Sequence, residues 1–176
     1  MATPTTLPAT FVAGNVLTAA QLNNMRGAFR VLQVATTNKT DTYTQTATAF
    51  TDITGFSVTI TPSSATSNVL IYVNANVSMS DTVLTLRLLR GSTVIFAGTT
   101  AGTRPVGFYG SSENLGTNIF QSGGIYLDSP ATTSATTYKV QMALYTGTGY
   151  LNRNNRDTDG VDPRLSSSIT VMEISA

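Results

Sequence analysis

The chain contains no cysteine, no histidine and no tryptophan, and only two lysines, Lys39 and Lys139. Without Cys or His, zinc and copper centres lose their usual ligands, and neither a Ser–His nor a Cys–His nucleophile can be assembled. Disulfides are excluded, and an uncrosslinked chain fits synthesis in a reducing cytoplasm. Catalysis would be left to carboxylates, Lys, Tyr or N-terminal chemistry, so no enzyme is expected. Charge is scarce as well: 11% of residues are charged, against roughly 25% in an ordinary soluble domain. The net charge is +1, with no basic run. Nucleic-acid binding requires clustered cations that displace counterions, so nucleic acid is not an expected partner. No apolar run nears the ~18 residues of a membrane-spanning helix. The opening "MATPTTLPATF" has neither a basic start nor an apolar core, so no secretory signal is expected.

What fills the space is threonine, 32 residues of it, often in alternation as in "TNKTDTYTQTATAFTD". A β-branched hydroxyl suits the half-wet face of a pleated sheet. At 176 residues the chain is long enough for one domain with a substantial core.

Residues 1–28 form an expected arm and helix. Pro4 and Pro8 stand among Thr and Ala, with Leu7, Phe11 and Val12 as the sizeable apolar anchors. In "LTAAQLNNMRGAF", Thr18 and Gln21 fit a capping box, and Leu17 and Leu22 a hydrophobic staple. With Gly27 as a stop, a short α-helix is predicted at about 18–26. Leu22, Met25 and Phe29 then share one side. Phe11, Leu17, Leu22, Met25 and Phe29 are the candidate attachment or oligomer contacts. The stripe either docks on its own domain or ties the protein to something larger.

From residue 29 to 176 the period changes from 3.6 to 2. Strands are expected at 29–36, at 54–61 before Pro62, and through "VLIYVNANVSM", where Val69, Ile71, Val73, Ala75 and Val77 face one way. A hairpin is predicted with arms at 83–89 and 93–97 around Arg90-Gly91-Ser92. Residues 98–124 are Gly-rich and read as a long connection with a short strand near 106–109. Later strands are expected from "IYLDSP", at 138–145, at Tyr150, and in "SSSITVMEISA", with Ile169, Val171 and Met172 toward the core. Eight or so strands with one wet face imply an all-β, antiparallel two-sheet β-sandwich of jelly-roll type, preceded by an extended N-terminal arm and one short α-helix. Stretches such as "SGGIYLDS", small or polar on both sides, either face water or pack against a sister subunit.

Several segments carry a resemblance. "FVAGNVLTAAQLNN" is similar to a stretch found in bacteriophage virion proteins before an exposed β-domain. "RVLQVATTNKTDTYTQTATAFTDITGFSVTITPSSATSNVLIYV", "LRLLRGSTVI", "YLDSPATTSATTYKVQM" and "SSSITVMEI" resemble, in order and spacing, a recurrent β-domain of tailed-phage virion structural proteins. The resemblance spans nearly the whole chain. It implies a homotrimer of β-sandwiches about a three-fold axis, like a tumour-necrosis-factor trimer, located in the virion after synthesis in the host cytoplasm. It implies no catalytic residue. Two roles follow from it. One is a capsid decoration (cement) protein that binds and stabilises the capsid surface, with the major capsid protein as partner. The other is a tail-fibre or receptor-binding tip that recognises a host-surface glycan through loops 98–124 and 146–165.

The densest charge lies in "YLNRNNRDTDGVDPR", at 150–164: Arg153, Arg156, Asp157, Asp159, Asp162 and Arg164. Asn155, Asp157, Asp159 and Gly160 match the first half of a calcium loop, but its twelfth position is Ser166 and its flanks read as strands. Asp157 and Asp159 could pair for glycoside hydrolysis. A solvated turn would use the same Asp, Asn and Gly for local hydrogen bonds. A partner-contact loop would use Arg153, Arg156 and Arg164, with Tyr150, for bidentate pairing. No cofactor is expected. The glycines at 91, 102, 107 and 110 read as turns rather than a phosphate cradle, since none opens a helix. Tyr109, Tyr126, Tyr138, Tyr145 and Tyr150 are candidates for a sugar-stacking patch or for sheet-edge packing.

Overall fold

The computed structural model describes residues 30–80, 83–111 and 117–175, together with Gly14 and Val16. The predicted helix at 18–26 and the attachment residues Phe11, Leu17, Leu22, Met25 and Phe29 lie outside the described residues. Those described form eleven strands: β1 (Val31–Lys39), β2 (Tyr43–Gln45), β3 (Thr51–Ile60), β4 (Asn68–Met79), β5 (Leu84–Arg90), β6 (Thr93–Phe96), β7 (Tyr109–Ser111), β8 (Phe120–Asp128), β9 (Thr136–Leu144), β10 (Gly149–Leu151) and β11 (Ser167–Ile174). Every pairing is antiparallel, and the strands make two sheets. The protein is therefore all-β. No helix among the described residues is long and apolar enough to cross a membrane.

The first sheet runs β1-β11-β4, with β8 along the other flank of β4 and the short β10 and β2 continuing from its far end. The second runs β3-β9-β5, and β5 also pairs with β6 and β7. Period-2 alternation explains why the two sheets close on each other. In β4, Val69, Ile71, Val73, Ala75 and Val77 are all buried, as the pattern requires. Facing them are Leu84, Leu86 and Leu88 of β5, and Tyr138, Val140, Met142 and Leu144 of β9, in one contiguous core. In β3 the inward residues are Ile53, Phe56, Val58 and Ile60. The three-residue step from Ile53 to Phe56 breaks the alternation, and a register shift between Asp52 and Ser57 absorbs it. Gly55 sits within that shift at φ 75, a backbone conformation that suits a residue without Cβ.

The structure differs from the sequence reading in four places. In region 98–124 the short strand expected near 106–109 is β7, at Tyr109–Ser111, but the expected connection ends early, because β8 begins already at Phe120. Two of the glycines that suggested a loop, Gly123 and Gly124, lie inside β8, where larger residues do not fit. A Cβ on Gly123 would stand 2.8 Å from the Val73 carbonyl oxygen, and one on Gly124 would stand 2.7 Å from the Phe96 ring. That ring stacks on Phe108 and Tyr126 at 5.3 and 5.2 Å. Residues 43–45 form a strand that Thr alternation alone did not reveal. Met172 faces outward, because Ile169, Val171 and Glu173 share the inward parity of β11. Tyr138 belongs to the core, its hydroxyl donating to Asp128 at 2.7 Å, and is not part of any surface patch.

Glu173 is the surprise of that inward row. Its carboxylate accepts from Gln33 Nε2 at 2.6 Å, from the Ser63 amide at 2.8 Å and from Ser63 Oγ at 2.7 Å. Burial alone would raise its pKa, but the donors from Gln33, Ser63 and Ser67 outweigh burial and bring it down to about 2.

Candidate functional site

The charge-dense segment leaves β10 and returns as β11, and two buried asparagines fix its shape. Asn152 has φ 64, a left-handed conformation that Asn tolerates better than most residues. Its amide Nδ2 donates to the carbonyls of Lys39 and Asp41 at 2.7 and 2.9 Å, and its Oδ1 accepts from Ser167 Oγ at 2.6 Å. Asn154 Nδ2 donates to the Thr117 carbonyl at 3.0 Å and to Asp162 Oδ1 at 2.6 Å, while its Oδ1 accepts from the Asp157 amide at 2.8 Å. The segment also lies over the outer side of β4. Ser78 Oγ donates to the Arg153 carbonyl at 3.0 Å, and Asn76 Nδ2 to the Ser166 carbonyl at 2.7 Å. This cover explains why Asn76 and Ser78, on the polar side of β4, are nevertheless buried.

Within this frame the charges cancel one another. Arg156 grips Asp162 with two bonds, Nε to Oδ2 at 2.8 Å and Nη2 to Oδ1 at 2.7 Å. The Arg156 guanidinium holds the Asp162 carboxyl far below its usual range, with help from the Thr158 amide and Asn154. Asp162 in turn raises Arg156. Arg164 grips Asp157 in the same bidentate manner at 3.1 and 2.8 Å, and Arg153 reaches Asp157 at 3.3 Å. Arg153 also lies over the Tyr150 ring, 4.3 Å from its centroid, and donates to Thr44 Oγ1 at 3.1 Å. Tyr150 hydroxyl donates to Asn155 Oδ1 at 2.7 Å.

The sequence-predicted residues are thus brought together, but turned toward each other. The calcium candidates Asn155 and Asp157 already accept from protein donors, and Asp159 is exposed beside them. No group of three or more carboxylates poised for a metal occurs among the described residues. Asp157, Thr158, Asp159, Asp162 and Arg164 line a shallow polar hollow of about 340 Å³. Arg153 is largely covered, while the Arg156 and Arg164 side chains remain 50% and 63% exposed, with exposed Val161 and Leu165 beside them. Asn152 and Asn154 escaped the sequence reading. An Asn on either side of an Arg, directly after a strand, is the signal that could have found them, because Asn both tolerates positive φ and caps turns.

A second hollow, about 460 Å³, is lined by Thr48, Phe50, Thr103, Pro105, Leu144 and Tyr145 among others. Tyr145 is 69% exposed on its rim. The five candidate tyrosines do not form one patch: Tyr126 stacks inside the sandwich mouth, Tyr150 is buried under Arg153, and Tyr109 is half-buried. Phe50 and Tyr145 line one hollow although they stand 95 positions apart in the sequence, so no local pattern announced it.

No family model matches the chain, and no curated protein matches it. Among solved structures the chain is similar to one described as "Structure of infectious bursal disease virus Gt strain", at 13% identity and a TM-score of 0.43. The alignment covers 97% of this chain and 42% of that one, so the chain spans less than half the length of that neighbour. A likeness of this extent carries no functional conclusion.

Proposed function

We propose that the protein is a structural component of a bacteriophage virion, a homotrimeric decoration protein that binds the capsid surface and stabilises the shell. The observation that carries this reading is the self-neutralised loop. All three of its arginines and two of its three aspartates are spent on one another, which leaves exposed Asp159 as the one carboxylate of the loop outside these pairs. Such a loop serves binding. The order of the sheets supports a jelly roll. If the short β2, β7 and β10 are left aside, the eight remaining strands fall in the order first-eighth-third-sixth in one sheet and second-seventh-fourth-fifth in the other, as two wrapped Greek keys require. The sequence resemblance to phage β-domains supports the virion setting. Many copies, each adding bound area to the assembled shell, raise its stability by mass action. The test is reconstitution: particles lacking the protein release their genome at a lower temperature, and adding the purified protein restores the higher one. No change on addition would count against a cement role.

One observation favours a second reading, a tail-fibre or receptor-binding tip that recognises a host glycan. The hollow at Phe50 and Tyr145 offers aromatic faces beside the hydroxyls of Thr48 and Thr103, the combination that sugar rings use. Glycan-array binding by the wild type that disappears in Tyr145→Ala would establish it, and the absence of any signal would remove it.

A further inference from the structure

The two outer faces of the sandwich differ in kind. That of the second sheet is a polar ladder. Lys139 pairs with Asp52 at 2.7 Å, Gln141 donates to Asp52 at 2.6 Å, Arg87 donates to Gln141 at 2.8 Å, and the Thr59 and Thr137 hydroxyls bond at 2.7 Å. The outer face of the first sheet carries no ion pair among the described residues, and its cross-strand polar bonds are two uncharged ones, Thr36 with Thr170 at 2.9 Å and Gln121 to Asn74 at 2.9 Å. The pairing registers place Val34, Met172, Leu70 and Leu127 in one row across β1, β11, β4 and β8. The next row is Thr36, Thr170, Tyr72 and Ile125. Val34 is 57% exposed, Tyr72 46%, Ile125 61% and Leu127 55%. No Asp, Glu, Lys or Arg stands among the outward residues of β1, β8 and β11, or of β4 over positions 68–74. Apolar side chains contiguous across four strands are uncommon on a surface that stays in water.

We infer that this face, centred on Leu70, Tyr72, Ile125 and Leu127, is where one copy of the chain packs against another. The inference rests on the oligomeric reading above and names its surface. Charge and size both favour a second copy. An uncharged face meets a like molecule without repulsion, and it offers nothing to attract a charged partner of either sign. Four strands about 4.8 Å apart and about six residues long at ~3.3 Å each give a face of roughly 19 by 20 Å, on the order of 400 Å² before side-chain relief. Relief brings this toward the ~800 Å² that each partner buries in a stable interface. The nine-residue helix predicted at 18–26 would be about 13 Å long and 10 Å wide, and would leave most of the face bare. A contact that joins this face to a different surface of the next copy closes into a trimer when each copy is rotated by about a third of a turn from the last.

The test compares the full chain with the double variant Ile125→Lys/Leu127→Lys by light scattering across a dilution series, with Thr59→Lys on the opposite sheet as control. Both positions of the double variant are exposed, so its urea midpoint is expected to stay near that of the wild type, and retained unfolding cooperativity confirms the fold. The expected result is a wild-type multimer whose dissociation constant rises by about 100-fold or more in the double variant and is unmoved by Thr59→Lys. A wild-type multimer that the double variant leaves intact overturns the inference while sparing the oligomeric reading. A wild-type monomer at high micromolar concentration overturns both. Because the chain has no cysteine, Ile125→Cys can carry a single polarity-sensitive dye. Emission that shifts red as the multimer dissociates supports the inference; emission that stays blue in the monomer shows that the chain's own residues cover the face, and overturns it.

Discussion

At the scale of single residues, the loop is held by a few buried amides rather than by its many charges. Asn152 satisfies two carbonyls from the segment after β1 and one hydroxyl at the start of β11. Replacing it by Ala orphans those buried groups and puts a less tolerant residue at positive φ, so Asn152→Ala is expected to lose about 2–4 kcal/mol in urea unfolding. Glu173 gives a pH signature. Its folded pKa is about 2 against an ordinary 4.5, so its contribution is complete above about 4.5 and disappears as pH falls toward 2. Asp41, Asp52 and Asp162 are depressed as well, so the wild type loses stability over the same acid range for several reasons. Glu173→Gln isolates one of them: the variant is expected to be less stable by about 1–3 kcal/mol at neutral pH, with a shallower loss between pH 4.5 and 2. Equal acid slopes in the two proteins would contradict the assignment. The charge cluster was visible in the sequence as composition. Which carboxylate each Arg takes was not, because pairing across a loop depends on the backbone path that Asn152 and Asn154 impose, and those two carry no charge to draw notice.

At the scale of elements, alternation read well wherever a strand has one dry face. β4 was legible residue by residue, because its inward positions from Val69 to Met79 are apolar at every second step; β9 and β11 were legible as strands, but the inward places of Tyr138 and Glu173 and the outward place of Met172 were not. β8 was legible only from Ile125 onward, because its first half obeys a different constraint. Gly123 passes close to the backbone of β4, and Gly124 leaves room for the Phe96–Phe108–Tyr126 stack. Glycine in a strand usually marks such a close approach, yet in a Gly-rich region it also looks like a turn. Gly123→Ala is therefore expected to cost about 1–3 kcal/mol, since the Val73 carbonyl it would meet is backbone and cannot rotate aside. Chemical denaturation measures it, and a neutral result would mean that β8 pairs less closely with β4 than described. β2 went unseen because three residues are too few for periodicity to register.

At the scale of the whole molecule, the sandwich separates its surfaces. One sheet turns a charged, hydrogen-bonded ladder outward, the other an apolar field bordered at one end by the neutralised loop. The fold class followed from composition and period, because hydroxyl-rich alternation has few other uses. Which face would be bare could not, since it depends on the register of four strands that are distant in sequence. Under the proposed function the protein binds in many copies and performs no chemistry. The measurement that tests this most directly is the number of copies in purified particles of the phage proposed to encode it, by quantitative densitometry against the major capsid protein. The account predicts hundreds of copies in multiples of three. Its absence from the particle, with the protein found only in the infected cell, would contradict it.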